Sequence, residues 1–246
     1  MRLALSSEAA PELGLAELLQ SCGHRGLELV ELVAGHAHGA APGLDADRVA
    51  DLVWEVRASG VHVAGLYLPG DPLLDWEAVA SLAAALGAPA IVAPGVAAGA
   101  TMPRVVAHFA EHGATLLLTH RTDLAQIAAL SDLVDSVGQG RLGLAWDVDP
   151  AADDLGLVPA ILQRAGERLA YIRFSGGGPE SAQNTGRGIG TLMARLTLSG
   201  YEGPLVLHPS NPTYHYAWRA WIGQAGGWGC GSKTADYSLV SLSTND

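Results

Sequence analysis

Lysine is nearly missing from this chain: Lys233, close to the C-terminus, is the only one. A barrel enzyme working through a Schiff-base lysine on a strand is thereby excluded. Cysteine is almost as scarce. Cys22 and Cys230 are too few and too far apart in sequence for a disulfide framework, so a reduced, cytoplasmic setting is expected. Basic residues are few altogether: 14 Lys and Arg against 25 Asp and Glu give a formal charge of −11, and no basic stripe runs along the sequence. That balance speaks against nucleic acid as a partner. The longest apolar runs are too short to span a bilayer, and the opening Met1-Arg2-Leu3-Ala4-Leu5-Ser6-Ser7-Glu8 lacks the long apolar segment of a signal peptide. Neither a membrane nor export is expected. No G-x-G-x-x-G follows the first strand and no P-loop Gly-Lys-Ser/Thr is present, so nucleotide binding has no support.

What is present is apolar sequence, 49% of 246 residues, cut into short runs. Strands are expected over Leu3–Leu5, Leu27–Val33, Val61–Leu68, Ala90–Ala93, Ala114–His120, Leu142–Trp146, Leu169–Ser175 and Pro204–Pro209. Helical spacing falls between them, over Pro11–Cys22, Asp45–Ser59, Leu74–Leu86, Thr101–His112, Leu124–Val137, Leu155–Ala165 and Ile189–Leu198, with Tyr214–Ile222 as a last helix. Strands recurring every roughly 25 to 30 residues with helices between them make a (β/α)8 TIM barrel the economical α/β fold, over a doubly wound sheet. The barrel is assigned residues 1–225. The Gly/Ser/Thr-rich residues 226–246 are read as a C-terminal extension that docks on the barrel or on a neighbouring chain, which leaves a homo-oligomer open.

In parallel barrels, strand C-termini carry the site. The clearest such end here is Leu144-Ala145-Trp146-Asp147, an interior strand running into a carboxylate that needs a cation, a donor or water beside it. The other strand ends supply Glu31, Thr119 and His120, Arg173 and Ser175, and His208, a polar ring with both signs of charge. After the seventh strand, Gly176 to Gly190 reads as a long glycine-rich loop, where backbone N–H groups and Arg187 would meet an anionic substrate. His36-Ala37-His38 has the spacing of a metal-binding pair, but it lacks the accompanying lysine and aspartate and reads as a solvated loop. Trp146, Tyr171 and Phe174 read as core.

Three stretches resemble the xylose isomerase-like barrels, which include sugar-phosphate isomerases and epimerases and endonuclease IV-type enzymes. They are Leu15 through Leu32, a helix-Gly-strand opening that ends in Glu31-Leu32; Leu144-Ala145-Trp146-Asp147; and Gly186-Arg187-Gly188-Ile189 through Gly200-Tyr201-Glu202-Gly203-Pro204-Leu205-Val206-Leu207. The resemblance implies a divalent metal held by two glutamates, an aspartate and a histidine, with the glutamates as acid and base. Of these positions only Asp147 keeps its family residue. Thr119, beside His120, stands at the middle-strand glutamate, Arg173 at or near the seventh-strand histidine, and His208 at the last glutamate.

Two outcomes follow for Asp147. Arg173 pairs with it and no metal is needed, which is the favoured reading, or Asp147 and His208, with His120, hold zinc, manganese or magnesium. No cofactor is otherwise implied. The expected function is an isomerase or epimerase acting on a small oxygen-rich substrate, a sugar or sugar acid. His208 and Asp147 would exchange protons with it, Arg173 would steady an enolate oxygen and His120 would assist, while Glu31, Thr119, Ser175 and Arg187 would bind the substrate. The alternative is a non-catalytic barrel that binds a small anionic ligand without the family metal.

Overall fold

A computed structural model describes residues 1–70, 75–93, 102–137, 140–148, 154–176 and 182–209. Its eight strands are β1 (Arg2–Ser6), β2 (Leu29–Val33), β3 (His62–Leu68), β4 (Ala90–Val92), β5 (Leu116–His120), β6 (Leu142–Val148), β7 (Leu169–Gly176) and β8 (Pro204–Pro209). They pair in parallel and in chain order, and β8 returns to β1, Arg2 opposite Pro204 through Leu5 opposite Leu207, closing the barrel. The helices are α1 (Leu15–Gly23), α2 (Ala46–Ser59), α3 (Trp76–Leu86), α4 (Met102–His112), α5 (Leu124–Val137), α6 (Val158–Ala165) and α7 (Ala182–Leu198). The (β/α)8 barrel expected from the sequence is the observed fold. Among the described residues no helix is long and apolar enough to cross a membrane.

Period-two alternation builds two layers. Ala4, Leu29, Ala64, Ile91, Leu117, Ala145, Tyr171 and Val206 fill the barrel interior. Their strand neighbours Leu116, Leu118, Leu144, Trp146, Val148, Ile172, Phe174, Leu205 and Leu207 pack outward among the helices. Helix starts follow local chemistry. The Asp45 side chain accepts from the Arg48 N–H at 2.8 Å and the Asp123 side chain from the Ala125 N–H at 2.8 Å, and Gly60 ends α2 in the left-handed region at φ 73°.

Several boundaries differ from expectation, two of them by four residues or more. The first helix starts at Leu15 rather than Pro11, because Gly14 is its cap. The expected loop Gly176 to Gly190 is helical from Ala182 onward. Glycines 186, 188 and 190 each cost a helix about 1 kcal/mol, which disguises it in the sequence. Packing overrides that cost, for Ile189, Leu192 and Leu196 are buried against the barrel. Tyr214–Ile222, the tail 226–246 and the boundary at residue 225 lie outside the described residues.

Candidate functional site

Continuing the interior alternation to the C-terminal rim brings Glu31, Thr119, Asp147, Arg173 and His208 to the mouth, and Tyr67 joins them across a register shift in β3. Asp147 and Arg173 sit directly opposite each other on β6 and β7. Arg173 is the hub. Its Nε donates to Glu31 Oε2 at 2.9 Å and its Nη2 to Glu31 Oε1 at 3.2 Å, a two-pronged pairing of guanidinium and carboxylate. Its Nη1 donates to Asp147 Oδ1 at 3.2 Å, and Nη2 also lies 3.5 Å from Glu8 Oε2. The guanidinium carbon stands 3.8 Å from the centroid of the Tyr67 ring, a cation–π contact. Only 3% of the Arg173 side chain and none of that of Glu31 is exposed. The Arg173–Asp147 pair expected from the sequence is present, and Glu31 is hydrogen-bonded within the barrel.

How Glu31 reaches this depth follows from the backbone. The β2–β3 register shifts between Val30 and Glu31, setting Glu31 opposite Gly65. A Cβ on Gly65 would lie 2.5 Å from Ile91 Cδ1 and 3.0 Å from the Tyr171 hydroxyl, so glycine makes room for the tyrosine ring. Tyr171 then donates to Glu31 Oε2 at 3.1 Å. Burial, with the Glu31 charge behind it, pushes the Tyr171 phenol well above its ordinary pKa and keeps it a neutral donor.

Glu8, absent from the sequence-based set, completes the mouth. It sits in the 3-10 turn Ser7–Ala9 directly after β1, where its Oε2 lies 2.8 Å from His208 Nε2. The two rim carboxyls are driven apart. Burial pushes Asp147 above the usual carboxylate range, and the Glu31 charge adds to it, against the pull of Arg173 and His208. Glu8 is also penalised by burial, but its bond to His208, with the charges of His208, Arg173 and His36, holds it below the usual range.

His36 and His38 do not form a solvated loop. The turn after β2 folds back so that His38 is buried, its Nδ1 accepting from the Ala40 N–H at 3.1 Å. Its Nε2 must therefore carry the proton it donates to Ser7 Oγ, 3.2 Å away. Ser7 Oγ also accepts from the Val33 N–H at 2.9 Å and lies 3.4 Å from His36 Nδ1. With His38 Nε2–H pointing at the hydroxyl, His38 is no base for Ser7. The cluster pins the turn after β1 to the turn after β2 and so places Glu8.

His120 leaves the proposed set on geometry. Thr119 and His120 are consecutive on a strand, so only one can face the mouth, and Thr119 has the same parity as the interior residue Leu117. His120 is on the side of Leu116 and Leu118, toward the helices, its Nδ1 donating to the Arg121 carbonyl at 2.9 Å. Burial lowers its pKa. Trp146, Tyr171 and Phe174 are buried, as expected of core residues. Ser175 belongs to β7 and Arg187 to α7, and their side chains are outside the described residues.

The donor set does not fit the divalent metal that the resemblance implies. Asp147 and Glu31 face a fixed guanidinium, which a metal ion would have to displace or approach against its charge. Thr119, Arg173 and His208 also replace the carboxylate-rich ligands a hard cation wants. Among the described residues, no three His, Cys, Asp or Glu side chains gather to hold a metal ion.

No protein-family model matches the sequence, and no curated protein matches it either. Solved structures do match. A D-psicose 3-epimerase crystallised in the presence of D-fructose superposes with a TM-score of 0.63 at 10% identity, over 92% of this chain and 98% of that one. A 3-keto-D-glucoside 4-epimerase from E. coli gives a TM-score of 0.58 at 11% identity, over 92% and 98%. A xylose isomerase domain protein from Alicyclobacillus acidocaldarius gives 0.52 at 18% identity, over 92% and 100%. At these identities the likeness shows the fold, and the resemblance to xylose isomerase-like barrels holds at that level.

Proposed function

We propose that the protein is an isomerase or epimerase-type enzyme that moves a proton on a small, oxygen-rich substrate at the C-terminal mouth of the barrel. The observation that carries this reading is the geometry of the rim, His208 Nε2 lying 2.8 Å from Glu8 Oε2 and Asp147 Oδ1 3.2 Å from Arg173 Nη1, with burial raising the Asp147 pKa and the His208 contact lowering that of Glu8. Two titratable groups with oppositely tuned environments are what acid–base catalysis at one carbon needs. In this reading Asp147 and His208 exchange protons with the substrate, and Glu8 orients the imidazole. Epimerases of the same fold support it.

Arg173 takes a different part from the one expected. Its hydrogen bonds go to Glu31 and Asp147, so it positions the carboxylates rather than clamping a substrate anion. Three carboxylates around one arginine also disfavour a phosphate or a sugar acid, and a neutral sugar fits better. The engaged guanidinium equally favours a second reading, a barrel that binds such a ligand without turning it over.

Incubation with D-fructose, D-psicose and D-tagatose in D2O, followed by proton NMR, separates the two. Proton transfer places solvent deuterium on the carbon next to the carbonyl, and His208→Asn and Asp147→Asn abolish it. Saturable binding without deuterium uptake would leave the binding reading. Uptake that survives His208→Asn would remove histidine from its role.

A further inference from the structure

Three carboxylates from three segments close on one guanidinium: Glu31 from β2, Asp147 from β6 and Glu8 from the turn after β1. Carboxylates gathered this closely around an empty centre would repel one another and draw a cation from solution. Here the centre is filled from within the chain. The shape of the surroundings is specific to the filler. Glu31 meets one edge of the guanidinium with both oxygens, Asp147 meets Nη1, and Tyr67 lies against its face. An edge-and-face arrangement suits a planar, delocalised cation, whereas a divalent ion asks for oxygens spread around a sphere.

We infer that Arg173 has taken the place of a bound cation, so that this mouth is metal-independent and its positive charge is built into the chain. The contacts of Arg173 carry this inference, and it stands whether or not the proton-transfer reading holds. Two consequences follow. The wild-type mouth has no vacancy for a divalent ion. Cutting the arginine back to its Cβ opens a seat for a free guanidinium.

The test needs no substrate. Wild-type protein equilibrated with excess manganese(II) and passed through gel filtration is expected to carry far less than one manganese per chain. Arg173→Ala is expected to show a saturable rise in Tm with methylguanidinium chloride. Methylammonium chloride at the same concentrations should not reproduce it, and wild type should not show it. Should Arg173→Ala fail to fold, the Asp147→Asn/Arg173→Ala double variant retains the Glu31 fork with one carboxylate fewer, and the same preference for methylguanidinium is expected of it. One manganese per wild-type chain would overturn the inference. So would a variant that responds to both organic cations alike, or to neither.

Discussion

Lowering the pH should drain stability through the buried ring of His38, over and above what the other titrating groups contribute. In the native protein burial drives its pKa to about 4 from an ordinary 6.5, and the nearby His36 pushes the same way. The geometry agrees, since Nδ1 accepts the Ala40 N–H and cannot take a proton without losing that bond. Because the native pKa is the lower one, the unfolded chain binds more protons between the two values. The neutral ring therefore costs nothing above about pH 6.5, and stability falls as the pH drops until the loss levels off below about 4. At 1.36 kcal/mol per pH unit the full interval is worth ~3 kcal/mol, of which ~2 kcal/mol is gone by about pH 5. His38→Gln isolates this term. The amide keeps a donor for Ser7 Oγ but does not titrate, and it leaves the Ala40 N–H without its acceptor at a pH-independent cost of ~1–2 kcal/mol. Urea unfolding followed by tryptophan fluorescence at several pH values should find wild type the more stable near pH 8, with the gap closing or inverting near pH 5. Other titrating groups are common to both proteins and cancel in the difference. A gap of constant size across that range would refute the assignment of a neutral, buried His38.

Gly65→Ala should destabilise by ~1–3 kcal/mol in urea unfolding, because its Cβ overlaps Ile91 and the Tyr171 hydroxyl. Tyr171→Phe removes one buried donor to Glu31 with little change of shape, so a loss of ~1–2 kcal/mol at unchanged m-value is expected. Burial raises the Cys22 thiol to about 11. In a Cys230→Ser background a thiol reagent at pH 8 should leave native protein unmodified and react with one thiol per chain once it is unfolded.

The eight strands were legible because interior apolar runs bounded by turn residues hardly admit another reading, and α5 over Leu124–Val137 coincides with its expected span. The Asp147–Arg173 pair was legible for the same reason: two strand ends at the same height face each other in a parallel barrel. Other members of the site were hidden by finer geometry. Glu8 lies beyond the end of β1, in a turn whose fold depends on Ser7 being held by residues 26 and more positions away. Tyr67 reaches the mouth across a register shift that no pattern of apolar residues announces. His120 misses the mouth because strand parity lets only one of two neighbouring polar residues, here Thr119, reach the rim. The helical start at Ala182 was hidden by glycines that local propensity places in a loop.

The partners Glu31 and Arg173 are 142 residues apart in the chain. During synthesis from the N-terminus, β2 is therefore complete long before the residue that neutralises its carboxylate exists, and Glu31 must stay hydrated until β7 has been added. A half-barrel that closed over Glu31 before then would bury an unpaired carboxylate at a large cost in free energy. The same ion pair that fills the mouth of the mature protein acts during folding as a late latch, and its loss should show chiefly as faster unfolding rather than slower folding.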